Sequence, residues 1–124
     1  MKKIILAILF SLIIFIPVFV QADDKPILYF FGSPTCPHCI TEKAFLEKFK
    51  ERCPQVEIKL YDFSGNIELV KDLYQQYNVS AQEQGFVPVT FIGEKYFIGF
   101  NEKIGQDIES YALELTGAKE TQGQ

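Results

Sequence analysis

The chain has 124 residues, 48% of them hydrophobic, with 12 basic against 16 acidic side chains. That is one domain's worth of chain, with enough apolar material for a core. Twelve Phe and six Tyr exclude a disordered chain, and three cysteines are too few for a disulfide scaffold.

The first 22 residues differ from the rest. Lys2 and Lys3 give a short positive start, and Ile4 to Val20 then runs 17 residues with only Ser11 and Pro17 outside the aliphatic and aromatic set. Val20-Gln21-Ala22 fits signal-peptidase cleavage after Ala22. As a helix the apolar run would span about 25 Å, short of the roughly 30 Å hydrocarbon core. Residues 1–22 therefore read as a signal peptide, with a retained membrane anchor as the alternative. Either way residues 23–124 are expected outside the cytoplasm, in the periplasm or a similar compartment where oxidised cysteines persist. That exported part keeps ten basic against 16 acidic groups, about −6 in charge, with no basic run. Nucleic acid is excluded as a partner on that balance.

In chain order, Ile27 to Phe31 is apolar at every position between Pro26 and Gly32, which predicts a strand covered on both faces. Gly32-Ser33-Pro34-Thr35 breaks it. Pro37 suits a first helical turn, and the spacing predicts a helix over about 37–52. Ile40, Ala44, Phe45, Phe49 and Cys53 would form its apolar face, and Glu42, Lys43, Glu47, Lys48, Lys50 and Glu51 the opposite side. Val56, Ile58 and Leu60 alternate with polar residues and Tyr61 as in a strand. Ser64-Gly65-Asn66 reads as a turn with a possible cap, and Ile67, Val70, Leu73, Tyr74 and Tyr77 mark a second helix. After a polar loop from Asn78 to Gly85, two short strands, Val89 to Ile92 and Tyr96 to Phe100, join through Gly93-Glu94. Ile104, Ile108, Tyr111, Ala112 and Leu115 give a third helix, ended by Gly117. The order β-α-β-α-β-β-α implies a minimal α/β fold: a four-stranded mixed sheet with helices on both faces.

The chemistry lies at Cys36-Pro37-His38-Cys39. At a helix N-terminus, unpaired N–H groups and the dipole favour a thiolate at Cys36, the attacking species in disulfide exchange. Cys39, one turn further in, can resolve the mixed disulfide. His38 would tune the thiolate, or else be a passive exposed side chain. A structural disulfide would be an odd use of so short a loop. Zinc lacks ligands, because Cys53 is the only other cysteine and His38 the only histidine. Covalent haem would want histidine where Ile40 stands. Cys53 lies about 21 Å along the helix from Cys39, beyond disulfide reach, and reads as a half-buried core residue.

The strand Ile27–Phe31, the Cys36-Pro37-His38-Cys39 motif opening a helix, and Val87-Pro88 leading a hairpin together resemble the thioredoxin superfamily across residues 26–116. The resemblance implies that Cys36 and Cys39 form a redox-active disulfide, with Pro37 and His38 between them setting its character. It also implies that Pro88 is a cis proline lying against the cysteines and that Val87 pairs its backbone with substrate. Pro-His between the cysteines, and valine before the proline, are similar to DsbA-type oxidases, but the helical insertion of those proteins is absent. Val87 to Gly93, followed by Gly99-Phe100-Asn101-Glu102, is similar to glutaredoxins. Thioredoxins carry a tryptophan before the first cysteine, where this chain has Thr35. They also carry a buried acid six positions before it, where this chain has Phe30, so a proton at Cys39 needs water or another group.

The function this implies is an exported thiol–disulfide oxidoreductase of undetermined direction, acting on cysteine-containing exported proteins and recycled by a redox partner protein. No cofactor or metal is expected, and no membrane contact unless the N-terminal segment is retained. The rival class is a non-catalytic binding module on the same scaffold, such as a chaperone or metal-delivery adaptor.

Overall fold

The structure, a computed structural model, describes residues 25–117. The N-terminal apolar segment, with its signal-peptide or anchor reading, lies outside the described residues.

Strand β1, Ile27–Gly32, is central, as its apolar run requires: the sheet order is β2-β1-β3-β4. Strand β2, Glu57–Asp62, runs parallel to it, from Ile27 opposite Glu57 to Gly32 opposite Asp62. Strand β3, Val89–Ile92, pairs antiparallel on the other side, with Leu28 opposite Ile92 and Phe31 opposite Val89. Gly93, at φ 59°, turns the chain into strand β4, Lys95–Ile98. β4 stops short of the expected Phe100: Gly99 still donates its N–H to the Pro88 carbonyl, at 2.8 Å, in register with the ladder, but it takes φ 81° and proline has no N–H to return.

Alternation along the strands sorts the core into two layers. Leu28, Phe30 and Ile92 face one side, covered by helices α1 (Pro37–Arg52) and α3 (Glu102–Thr116) through Leu46, Phe49, Ile108 and Ala112. Phe31, Val89 and Phe91 face the other, covered by helix α2 (Ile67–Gln76) through Val70, Leu73 and Tyr74. The β-α-β-α-β-β-α order and the mixed four-stranded sheet are therefore as the sequence implies. α3 starts at Asn101, whose Oδ1 accepts the Ile104 N–H at 2.8 Å, and ends at left-handed Gly117. Asn66 does not cap α2, since its amide donates instead to the Asp62 carbonyl.

The face of α1 corrects the reading from periodicity. The buried residues are Cys39, Glu42, Leu46, Phe49 and Cys53, at steps of three and four, whereas Ile40 and Ala44 are exposed. Glu42, expected on the solvent side, is fully buried, and Cys53 is buried rather than half-buried. Apolar residues are spread around α1, so no stripe in the sequence fixes its rotation. The strand-to-helix turn fixes it instead, by setting Cys39 inward.

Candidate active site

β1 delivers the chain to the site and Gly32 allows the close approach. A Cβ there would stand 2.6 Å from the Phe30 ring and 3.0 Å from Cys39 Cβ. A turn follows, with the Cys36 N–H donating to the Ser33 carbonyl at 3.2 Å. Cys36 then occupies the N-cap of α1 in extended conformation, and Pro37 takes the first position, where no N–H is needed. The Cys36 sulfur does what a serine or aspartate oxygen does at other helix starts: it accepts the Cys39 N–H, at 3.2 Å.

The two thiols are unequally exposed. Cys36 is half-buried, while Cys39 is 3% exposed and packs with Leu28, Phe30 and Leu46. From the other side, the Val87–Pro88 peptide bond is cis, Pro88 is fully buried, and the Cys36 thiol lies 4.0 Å from the Val87 carbonyl oxygen. The fold thus brings Cys36, Cys39, Val87 and Pro88 together across 51 residues of sequence. Pro37 and His38 sit on the exposed first turn of α1. Beside them a groove of about 480 Å³ runs between Pro34, Ile40 and Lys43 on one wall and Leu60 and Asp62 on the other. Ile40 and Phe86 leave apolar surface exposed near the thiols. Cys53 lies at the far end of α1, buried in the core.

Burial pushes the Cys39 thiol up to about 11. Its hydrogen bond with Cys36 and the nearby Glu42 carboxylate push the same way, against a backbone hydrogen bond at Ser33 that lowers it. Glu42 itself is pushed up to about 8 by burial, with the Thr90 hydroxyl as the opposing influence. Thr90 Oγ1, from β3, donates to Glu42 Oε1, and Oε2 has no hydrogen-bond partner among the described residues. Sequence reading missed this acid. Its three-residue spacing from Cys39 was the available signal, since residues three apart share a helix face.

No family model matches the sequence, and no curated protein matches it. Solved structures do match. Desulfothioredoxin from Desulfovibrio vulgaris Hildenborough, in its reduced form, is 26% identical over 71% of this chain and 81% of its own, with a TM-score of 0.52. Mitochondrial thioredoxin 3 from Saccharomyces cerevisiae, in its oxidised form, is 17% identical over 73% and 78%, with a TM-score of 0.53. Thioredoxin from Trypanosoma brucei brucei is 16% identical over 76% and 77%, with a TM-score of 0.52. The likeness to desulfothioredoxin, together with a half-exposed and a buried thiol one helical turn apart, supports chemistry of the thiol–disulfide oxidoreductase type at the level of the superfamily. The chain has the thioredoxin fold, and its Cys36–Cys39 spacing is that of a thioredoxin-superfamily member.

Proposed function

We propose that this protein is an exported thiol–disulfide oxidoreductase that exchanges its Cys36–Cys39 pair with cysteine-containing proteins. The observation that carries the reading is the pairing of Cys36 with Cys39: an accessible sulfur at a helix N-cap, with a second, buried thiol whose own N–H it accepts. In the reducing direction the Cys36 sulfur attacks one sulfur of a substrate disulfide, forming a mixed disulfide and releasing the other as a thiolate. Cys39 then gives up its proton and attacks Cys36. The mixed disulfide breaks, the Cys36–Cys39 bond forms, and two electrons have passed to the substrate as two thiols. The oxidising direction is the reverse.

The Val87 backbone beside Cys36 is suited to hold an extended substrate segment, and the groove along Ile40 and Leu60 to receive one of its apolar side chains. Export is supported by Lys2-Lys3, the apolar run to Val20 and the Ala22 cleavage pattern. A redox partner protein outside the cytoplasm would restore the pair after each turnover.

The test is a trap. Cys39→Ala is expected to accumulate mixed disulfides between Cys36 and exported proteins, visible on non-reducing gels and lost on adding reductant. Adding Cys36→Ser should abolish them. If partner binding and cellular phenotype survive Cys36→Ser, the protein is a binding module and the enzymatic reading fails.

A further inference from the structure

Among the described residues, Glu42 is the one buried Asp, Glu, Lys, Arg or His. It stands one helical turn from Cys39 on the inward face of α1, where side chains three apart are neighbours. Charge on Glu42 is the smallest of the influences that raise the Cys39 thiol. The surroundings are otherwise apolar or neutral. β1 contributes Leu28 and Phe30 to this layer, and β4 contributes Phe97. β3 contributes Thr90, and α3 contributes Ile108 and Ala112. The titratable groups packed into the same layer are Cys36 and Cys39 from the start of α1, Cys53 just past its end, and Tyr111 from α3, whose hydroxyl oxygen is taken by the Glu94 N–H; Lys43 and Asp62 line the groove with Cys39.

A structural bridge from α1 to β3 would need one oxygen. Glu42 uses Oε1 for it, through Thr90, and keeps Oε2 buried without a partner, which costs free energy unless that atom is used. Cys39 has the complementary need: it is 3% exposed, where it lines the groove, and it must lose its proton to attack and regain it to leave.

We propose that Glu42 is the proton carrier for Cys39, a role that rests on the thiol–disulfide reading above. In the reducing direction the Cys39 thiol passes its proton to the Glu42 carboxylate, directly or across one water. The Cys39 sulfur attacks Cys36, the Cys36–Cys39 bond forms, the mixed disulfide breaks, and the substrate leaves as a thiolate. In the oxidising direction a substrate thiolate attacks Cys36, Cys39 leaves with the electron pair of the broken bond, and the Glu42 carboxylic acid protonates it. Solvent restores Glu42 in either case. The neutral acid that burial favours is the form the oxidising direction uses.

The experiment follows single turnovers of the reduced protein, purified after expression of the full chain, with oxidised glutathione. Samples are quenched in acid across pH 6 to 9 and weighed by mass spectrometry. Glu42→Gln keeps the shape and the acceptor for Thr90 but cannot exchange the proton. Formation of the Cys36–glutathione mixed disulfide should proceed as in the wild type. Its resolution should slow about tenfold or more below pH 8, with the difference narrowing at higher pH. Equal resolution rates and pH profiles in both proteins would overturn the proposal. A wild type that forms neither the mixed disulfide nor the Cys36–Cys39 disulfide would instead overturn the oxidoreductase reading beneath it. Should Glu42→Gln fail to fold, the carboxyl signal of Glu42 in the wild type decides, by carbon NMR: its titration must differ between dithiol and disulfide forms, and identical titration overturns the proposal.

Discussion

Glu42 is the residue whose chemistry departs furthest from its position in the sequence. A carboxyl group buried in an apolar layer favours its neutral form, which is why its titration moves from the usual 4.5 to about 8. In the unfolded chain it titrates near the ordinary value, so folding binds a proton between those two pH values. The contribution of Glu42 to stability is therefore fully present below about pH 4.5 and declines as the pH rises through about 8. A shift of that size corresponds to at most about 5 kcal/mol. Cys39, raised toward about 11, acts in the same sense but only in more alkaline solution. Denaturant unfolding of the wild type should accordingly give lower stability at pH 8 than at pH 5. Glu42→Gln, which has no proton to lose, should flatten that slope and exceed the wild type at pH 8. Parallel pH profiles in the two proteins would show that the acid is not held neutral by the fold.

At the scale of elements, legibility in the sequence followed how each element is held. β1 was readable because a strand covered on both faces must be apolar throughout, and Ile27 to Phe31 is. α2 and α3 were readable because each packs one stripe on the sheet, with Val70, Leu73 and Tyr74 in one and Ile108 and Ala112 in the other. The extent of α1 was readable from Pro37 and Pro54, but its rotation was not. Ile40 and Ala44 look like core residues in sequence yet face solvent, and Ile40, which lines the groove, is 56% exposed. Leu46 and Glu42 take the inward positions. The turn leaving β1 sets this rotation, bringing Cys39 against Gly32 and into the layer with Leu28 and Phe30. The rotation has a measurable consequence. Leu46→Ala should cost about 2–5 kcal/mol as a core truncation, whereas Ile40→Ala should stay within about 0.5 kcal/mol. Chemical denaturation of the two variants distinguishes this face from the one that periodicity suggests.

At the scale of the molecule, one fold joins two distant stretches of sequence into one site. The Cys36–Cys39 pair was legible from its spacing at a strand-to-helix junction, and Val87–Pro88 from its place before the hairpin. Their contact across the sheet is a product of topology: β3 pairs with β1, so the segment leading into β3 arrives beside the turn that leaves β1. What the sequence did not display was the third member, because a glutamate among Lys43, Glu47 and Lys48 looks like part of a solvated face. The central claim is that the Cys36–Cys39 pair is a working redox couple. The measurement that tests it most directly is its equilibrium with glutathione buffers, read as the fraction of disulfide in the protein purified after expression of the full chain. The account predicts a single two-electron transition with a potential between about −270 and −120 mV, the span of thiol–disulfide exchange proteins from thioredoxin to the strong periplasmic oxidants. A pair that does not titrate, or one below about −300 mV as in structural disulfides, would contradict it.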